Sequence, residues 1–98
     1  MLENKIKAAW IVTCVGSLTK AKLRLANNPN AVIKKGHFEI VSLVGVLTPL
    51  PHISHIHMCI SDGKGRTYGG HVLEEDNIVY TTAEIVIGEA SDLDFVRL

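Results

Sequence analysis

The sequence predicts an α+β fold: a mainly antiparallel sheet of about six strands with one or two short helices. Runs rich in Val, Ile and Thr recur along the chain, and most are bounded by Gly, Pro or Asn, as strands are. Only residues 1–9 have a helix-forming composition. The 98 residues are 47% hydrophobic, which is enough apolar material for a packed core in a single domain, residues 1–98.

The first half of the chain predicts one short helix and then two strands. Residues 1–9, MLENKIKAA, would form about two helical turns, and a helix that short is marginal alone. The β-branched run at residues 10–16 predicts a strand, which the Gly-Ser pair at 16–17 interrupts. Strict alternation over residues 20–26 predicts a half-buried strand, followed by a turn at NNPN.

The second half predicts the remaining strands. Residues 36–47 carry apolar side chains at both parities, which predicts a central strand covered on both faces. The prolines of TPLP then stop strand pairing. A hairpin of residues 53–60 and 67–73 follows, then a long Val-, Ile- and Thr-rich strand at 77–88 and a last strand at 93–98.

The charge balance argues against a protein that works mainly through phosphate contacts. Ten Lys and Arg residues balance ten Asp and Glu residues, whereas nucleic-acid binders usually have a basic excess. A local basic excess lies at Lys20, Lys22 and Arg24, followed by Lys34 and Lys35. Such a pattern more often marks a solvated strand face than a binding surface.

Cysteine usage and hydropathy predict a soluble intracellular protein. The two cysteines, Cys14 and Cys59, are too few for a four-thiolate zinc site and are expected to be buried free thiols in a reducing compartment. The N-terminus lacks a signal-peptide layout, and the apolar runs are shorter than a membrane helix. We expect a cytoplasmic location, with a nuclear one as the alternative, and no membrane partner.

The stretch HIHMCISDGKGRTYGGH contains three of the five histidines. If the reversal is a three-residue loop at 63–65, pairing outward places His57 opposite His71, and His55 projects from the same face. A loop one residue shorter or longer would turn His71 to the other face. The face opposite the histidines is then apolar, and it carries Ile56, Met58, Ile60, Tyr68 and Val72.

This register predicts a metal site formed by His55, His57 and His71 with an open coordination position. Imidazole suits zinc, while nickel, copper and iron are further candidates. The alternative is that His55 and His57 are polar residues on a half-exposed strand and that His71 is a hydrogen-bonded neighbour.

A three-histidine zinc with an open position could activate water, which would require a general base. The weak candidate is Glu84, inside the apolar run TTAEIVIG. The favoured alternative is that Glu84 accepts hydrogen bonds from nearby hydroxyls or pairs with a cation at an interface. The chain also lacks GxSxG and HExxH sequences, so we lean toward a non-enzymatic function.

Two further histidines are expected to be structural. In GHFEI, His37 and Glu39 share one strand face, so that Phe38 packs inward. His52 lies between prolines and is expected to be a loop residue.

Four segments together resemble the plants-and-prokaryotes-conserved (PPC) domain, and the resemblance runs from Ala8 to Arg97: AAWIVTCVGSLTKAKLRLA, GHFEIVSLVGVL, HIHMCISDGKGRTYGGHVL and IVYTTAEIVIGE. The resemblance implies an α+β fold and a homotrimer. In stand-alone members with histidines at the places of His55, His57 and His71, it also implies a bound metal, usually taken as zinc. Plant members replace these histidines, so the trimer does not depend on the ion.

The chain departs from the family pattern in two ways. Family members normally begin with a strand and a fuller helix, whereas this sequence starts partway into that helix, so the N-terminal strand is expected to be absent. The Arg-Gly-Arg-Pro element that gives plant members their DNA contact is missing, and His37 replaces the arginine of the plant Gly-Arg-Phe-Glu-Ile motif.

Three functions follow as hypotheses. The first is a non-catalytic homotrimeric module that binds metal and docks protein partners, with a regulatory role. The second is a DNA-binding, transcription-related protein, supported in the sequence only by the face of Lys20, Lys22 and Arg24. The third is a small zinc-dependent hydrolase or lyase assisted by Glu84.

Overall fold

The computed structural model describes residues 7–48 and 54–96, which form five β-strands. The described residues contain no helix, so none that could cross a membrane. Most of the predicted N-terminal helix and His52 lie outside the described residues. The strands are β1 (Ala9–Arg24), β2 (Ala31–Leu47), β3 (Ser54–Asp62), β4 (Thr67–Val72) and β5 (Ile78–Glu89).

The five strands form one antiparallel sheet in the order β2-β3-β4-β1-β5, with an additional pairing between β1 and β2. The first four strands therefore close into a ring. One edge of β1 pairs with β2 at residues 9–10 and again from Ser17 onward, while its other edge pairs first with β5 and then, at Leu23 and Arg24, with β4. The expectation of about six strands is wrong at 93–96, which form no strand. That segment is instead tied to the start of β1 by the amide of Phe95, which donates to the Lys7 carbonyl at 3.1 Å.

The predicted break at residues 16–17 is wrong, because β1 is continuous for 16 residues. A Cβ at Gly16 would clash with the Thr82 carbonyl oxygen of β5. The glycine therefore permits a close approach of two backbones rather than ending a strand. The register between β1 and β5 shifts between Gly16 and Leu18, which absorbs the irregularity as a bulge.

β2 is central, as predicted, because it pairs with β1 on one edge and with β3 on the other. The expectation that both of its faces are covered is wrong for the single chain. Phe38 is buried, but Val41 and Val44 are 60% and 56% exposed. Phe38 points into the ring, but the register shift between Ile40 and Ser42 reverses the alternation, so that Leu43 packs against the core and Val44 faces outward.

The core lies inside the ring and is formed by Leu18, Ala21, Leu23, Phe38, Met58 and Ile60. The inward packing of Phe38 is confirmed, and its ring meets that of Tyr68 edge to face at 6.3 Å. The apolar face predicted for the hairpin is confirmed too, since Tyr68 and Val72 pack against this core. Each large side chain buried in this way contributes about 1.5–3 kcal/mol to stability.

The reversal between β3 and β4 has the predicted three-residue loop. The Asp62 amide donates to the Arg66 carbonyl at 2.9 Å, and the Gly65 amide donates to the Asp62 carbonyl at 3.0 Å. Gly65 has a φ of 80°, a left-handed conformation that glycine adopts without strain. The predicted pairing of His57 with His71 is therefore confirmed.

Both cysteines are free thiols, as predicted. Cys14 of β1 is buried, and burial raises the pKa of its thiol. Cys59 of β3 is only half-buried, because it lies on the outward face of its strand with the histidines.

Candidate metal centre

Three imidazoles converge on the outer face of the β3–β4 hairpin. His55 and His57 are two residues apart on β3, and His71 lies opposite His57 on β4. The ring centroids are 5.2 Å apart for His55 and His57, 5.2 Å for His55 and His71, and 5.6 Å for His57 and His71. One ring nitrogen from each histidine lies within 4.8 Å of the other two.

This donor set fits a divalent transition metal ion. In a tetrahedral zinc site with Zn–N bonds of about 2.0–2.1 Å, ligand nitrogens lie about 3.3 Å apart. The three side chains therefore need only small rotations to bind one ion. His55 and His71 are half-buried while His57 is exposed, so the cluster is anchored on one side and open to solvent on the other.

The glycine pair before His71 explains how β4 reaches its position. A Cβ at Gly70 would lie 2.7 Å from the Arg24 carbonyl oxygen, whereas one at Gly69 would have only ordinary contacts, the nearest at 3.5 Å. Gly70 therefore lets the end of β1 approach β4, where Arg24 pairs with His71. The structure thus shows a close backbone approach at this glycine pair.

The structure does not bring Glu84 to the histidines. Glu84 lies on β5 opposite Val15 of β1, and β5 pairs with neither β3 nor β4. Its side chain is exposed, with no hydrogen bond or ion pair among the residues that the structure describes. The nearby Thr81 hydroxyl instead shares a 2.6 Å hydrogen bond with that of Ser17.

The basic residues singled out in the sequence do not form one uniform face. Lys20 lies 3.4 Å from the Asp76 carboxylate, and the Lys34 ammonium lies 4.1 Å over the Tyr68 ring. Arg24 lines a cavity beside the histidines, together with His57 and His71. Sequence reasoning had assigned Arg24 to a solvated strip and missed this neighbourhood, because strand alternation does not reveal which end of β1 pairs with β4.

His37 lies away from the cluster of three histidines. Its ring stacks on that of Tyr80 with centroids 4.4 Å apart and the planes 8° from parallel. Both residues line a cavity of about 270 Å³ with Glu39, so the outward face of GHFEI forms part of a surface depression.

Comparison with known protein families identifies the family of this chain. The family model of the Plants and Prokaryotes Conserved (PCC) domain matches residues 1–91. The chain therefore belongs to this family, and the resemblance seen in the sequence is confirmed.

Similar proteins differ in size and description. A bifunctional protein GlmU from Synechococcus sp. (strain JA-3-3Ab) is 37% identical over 95 residues, which are 97% of this chain and 15% of that protein. The chain thus spans only a small part of this curated relative. A solved hypothetical protein from Salmonella cholerae-suis superposes with a TM-score of 0.89 at 41% identity, covering 97% of this chain and 67% of that one.

Two further solved structures have descriptions that bear on metal and DNA. A metal-containing protein from Archaeoglobus fulgidus is 26% identical with a TM-score of 0.62, covering 87% of this chain and 61% of that one. A candidate DNA-binding protein from Bacteroides thetaiotaomicron is 22% identical with a TM-score of 0.78, covering 92% and 64%. At 22% identity, the second likeness shows the fold alone.

Proposed function

We propose that the protein is a non-catalytic homotrimeric module that binds a divalent transition metal through His55, His57 and His71, with zinc as the leading candidate. The observation that carries the proposal is the convergence of three imidazole nitrogens within 4.8 Å. The likeness to a metal-containing protein from Archaeoglobus fulgidus supports it. Glu84, the base that a hydrolase or lyase would use, is remote in the sheet, which favours a structural or regulatory ion over a catalytic one.

The exposed apolar surface supports association with further chains. β5 is exposed along nearly its whole length, although it is rich in apolar residues. Soluble proteins rarely leave large contiguous apolar patches open to water, and such patches mark interaction sites. The exposed apolar residues of β5 are Ile78, Val79, Tyr80, Ile85, Val86 and Ile87.

Copies of this chain are the first occupants that we propose for this surface, and protein partners the second. An intracellular, cytoplasmic location belongs to the same proposal, since free thiols such as Cys14 and Cys59 persist in reducing compartments.

The metal proposal is tested by elemental analysis of purified protein. We expect wild type to hold about one zinc ion per chain, and His57→Ala to lose it, because two imidazoles remain where structural and catalytic zinc sites use at least three protein ligands. Because His57 is exposed on the outer face, the circular dichroism spectrum of the His57→Ala variant should differ little from that of wild type. His37→Ala is the matched control, because it removes a histidine outside the cluster.

Equal metal content in wild type and His57→Ala would disprove this site. Loss of metal from His37→Ala as well would indicate a general effect of histidine removal rather than a defined cluster.

A further inference from the structure

The histidine cluster lies between two side chains of opposite character. Arg24, at the end of β1, is the Cα partner of His71, and directly paired residues project from the same face. On the other side, Val44 of β2 is the partner of His57. Within the described sheet, a cation and an apolar wall therefore flank the three imidazoles.

Two cavities meet at His57. The first, of about 320 Å³, is lined by Arg24 and Asn27 together with two of the histidines. The second is a shallow, open depression of about 260 Å³, lined by Val44 and Val46 together with two of the histidines. Val44 is 56% exposed and Val46 is 37% exposed, so both are available to a ligand that lies across His57.

The charges at this place favour an anion. Neutral imidazoles leave the charge of a divalent ion uncompensated, and Arg24 adds a further positive charge beside it. The candidate ligand set among the described residues consists of three histidines and no carboxylate, so no protein ligand would neutralise the ion. A guanidinium binds a carboxylate through two parallel hydrogen bonds, which adds orientation to the electrostatic attraction.

We propose that the open position of this metal site takes the carboxylate of a small apolar acid. Arg24 binds the carboxylate, and Val44 and Val46 cover the apolar group. The inference rests on the proposed metal site and names its ligand class. It assigns Arg24 as the residue that selects an anion and the two valines as the residues that select the apolar part.

The test uses protein loaded with cobalt(II), whose visible spectrum reports directly on its ligands. Titrations with acetate, butyrate and uncharged butyramide give dissociation constants from the change in absorbance. We expect butyrate to bind more tightly than acetate, by about fourfold for each buried methylene. Butyramide should bind much more weakly than butyrate, because it carries no charge for Arg24 or the ion to attract.

Variants separate the two parts of the ligand. Arg24→Gln should weaken acetate and butyrate alike by about tenfold or more, because it removes a charge-assisted hydrogen bond. Val44→Ser should weaken butyrate and leave acetate nearly unchanged. Lys22→Gln is the matched control, since Lys22 is a cation of β1 that does not line the cavity.

The outcomes distinguish this inference from the metal proposal. A wild-type protein that binds no cobalt overturns both. If the spectrum of the cobalt-loaded protein does not change on addition of carboxylates, only the proposed ligand class is overturned. Equal binding of butyramide and butyrate would overturn it as well. Equal weakening by Lys22→Gln and Arg24→Gln would show a diffuse positive field and overturn the role of Arg24.

Discussion

Asp62 is the residue that fixes the reversal before β4. Its carboxylate accepts hydrogen bonds from the Lys64 amide, the Arg66 amide and the Arg66 Nε, at 2.9, 2.9 and 2.8 Å. These contacts hold the loop at three residues, and the loop length decides which face His71 occupies. A turn residue thus acts on the histidine cluster through strand register, although it touches none of the imidazoles.

The Asp62 carboxylate makes the hairpin sensitive to acid. Desolvation alone would raise its pKa, but the Arg66 side chain and the two backbone amides together hold that pKa below its usual value near 3.8. A carboxyl with a lowered folded-state pKa stabilises the fold above its unfolded pKa, and the effect is lost as the pH falls through the folded pKa.

Asp62→Asn should therefore lower the melting temperature at pH 7, because the amide keeps the shape of the side chain and loses its charge. The difference from wild type should begin to shrink below about pH 4 and should disappear below the lowered folded-state pKa, where the wild-type carboxyl is neutral as well. Thermal melts followed by circular dichroism from pH 7 to pH 2 measure it, with Asp92→Asn as a control. A difference that stays constant with pH would show that charge is not the cause.

At the scale of elements, the pairing of β1 with β4 fixes the position of the histidine hairpin. It pairs with β2, β4 and β5, and only its last two residues, Leu23 and Arg24, meet β4. That short contact closes the ring, and Gly70 makes it possible by leaving no side chain against the Arg24 carbonyl. The position of His71 therefore depends on the glycine that directly precedes it on β4.

Gly70→Ala should destabilise the fold and weaken metal binding together. Its Cβ would lie 2.7 Å from the Arg24 carbonyl oxygen, so β1 and β4 must separate, at a cost of about 1–3 kcal/mol. The accompanying displacement of His71 should reduce zinc affinity by about tenfold, as loss of ligand positioning does elsewhere.

Gly69→Ala is the matched control, because its Cβ would have contacts no closer than 3.5 Å. Urea unfolding and competitive zinc titration measure the two effects. Similar results for the two alanine variants would contradict the argument from close backbone approach.

The elements differ in how far the sequence predicts them. Period-two alternation identified the hairpin and its loop, because Gly63 and Gly65 mark the reversal and parity then assigns every side chain to a face. The continuity of β1 was missed, since a glycine that ends a strand and one that admits a neighbouring backbone look identical in sequence. The nearness of Arg24 to His71 was missed for a related reason: closure of the ring is a tertiary contact with no local signal.

At the scale of the whole molecule, β1, β2 and β5 expose many large apolar side chains on their outward surfaces. Val15 and Val41 are 62% and 60% exposed, and Val86 of β5 is 54% exposed. β5 pairs with β1 along one edge, and no other described strand pairs with it. Only the structure locates this apolar surface, because periodicity cannot separate a strand face covered by its own chain from one covered by another.

If β5 is covered by further copies in a homotrimer, a charge on the covered face should prevent assembly. Ile85 pairs with the buried Cys14 and Val86 pairs with Thr13, so the two residues sample opposite faces of the strand. Burying an unpaired ammonium costs several kcal/mol, whereas a lysine on an exposed strand costs little. We expect the lysine that lies on the covered face, in either Ile85→Lys or Val86→Lys, to convert the trimer to a monomer. Size-exclusion chromatography with light scattering measures the mass, and Asp92→Lys, the control, should keep the wild-type mass. A monomeric wild type at micromolar concentration would refute the trimer, and wild-type mass in both β5 variants would place the contact elsewhere.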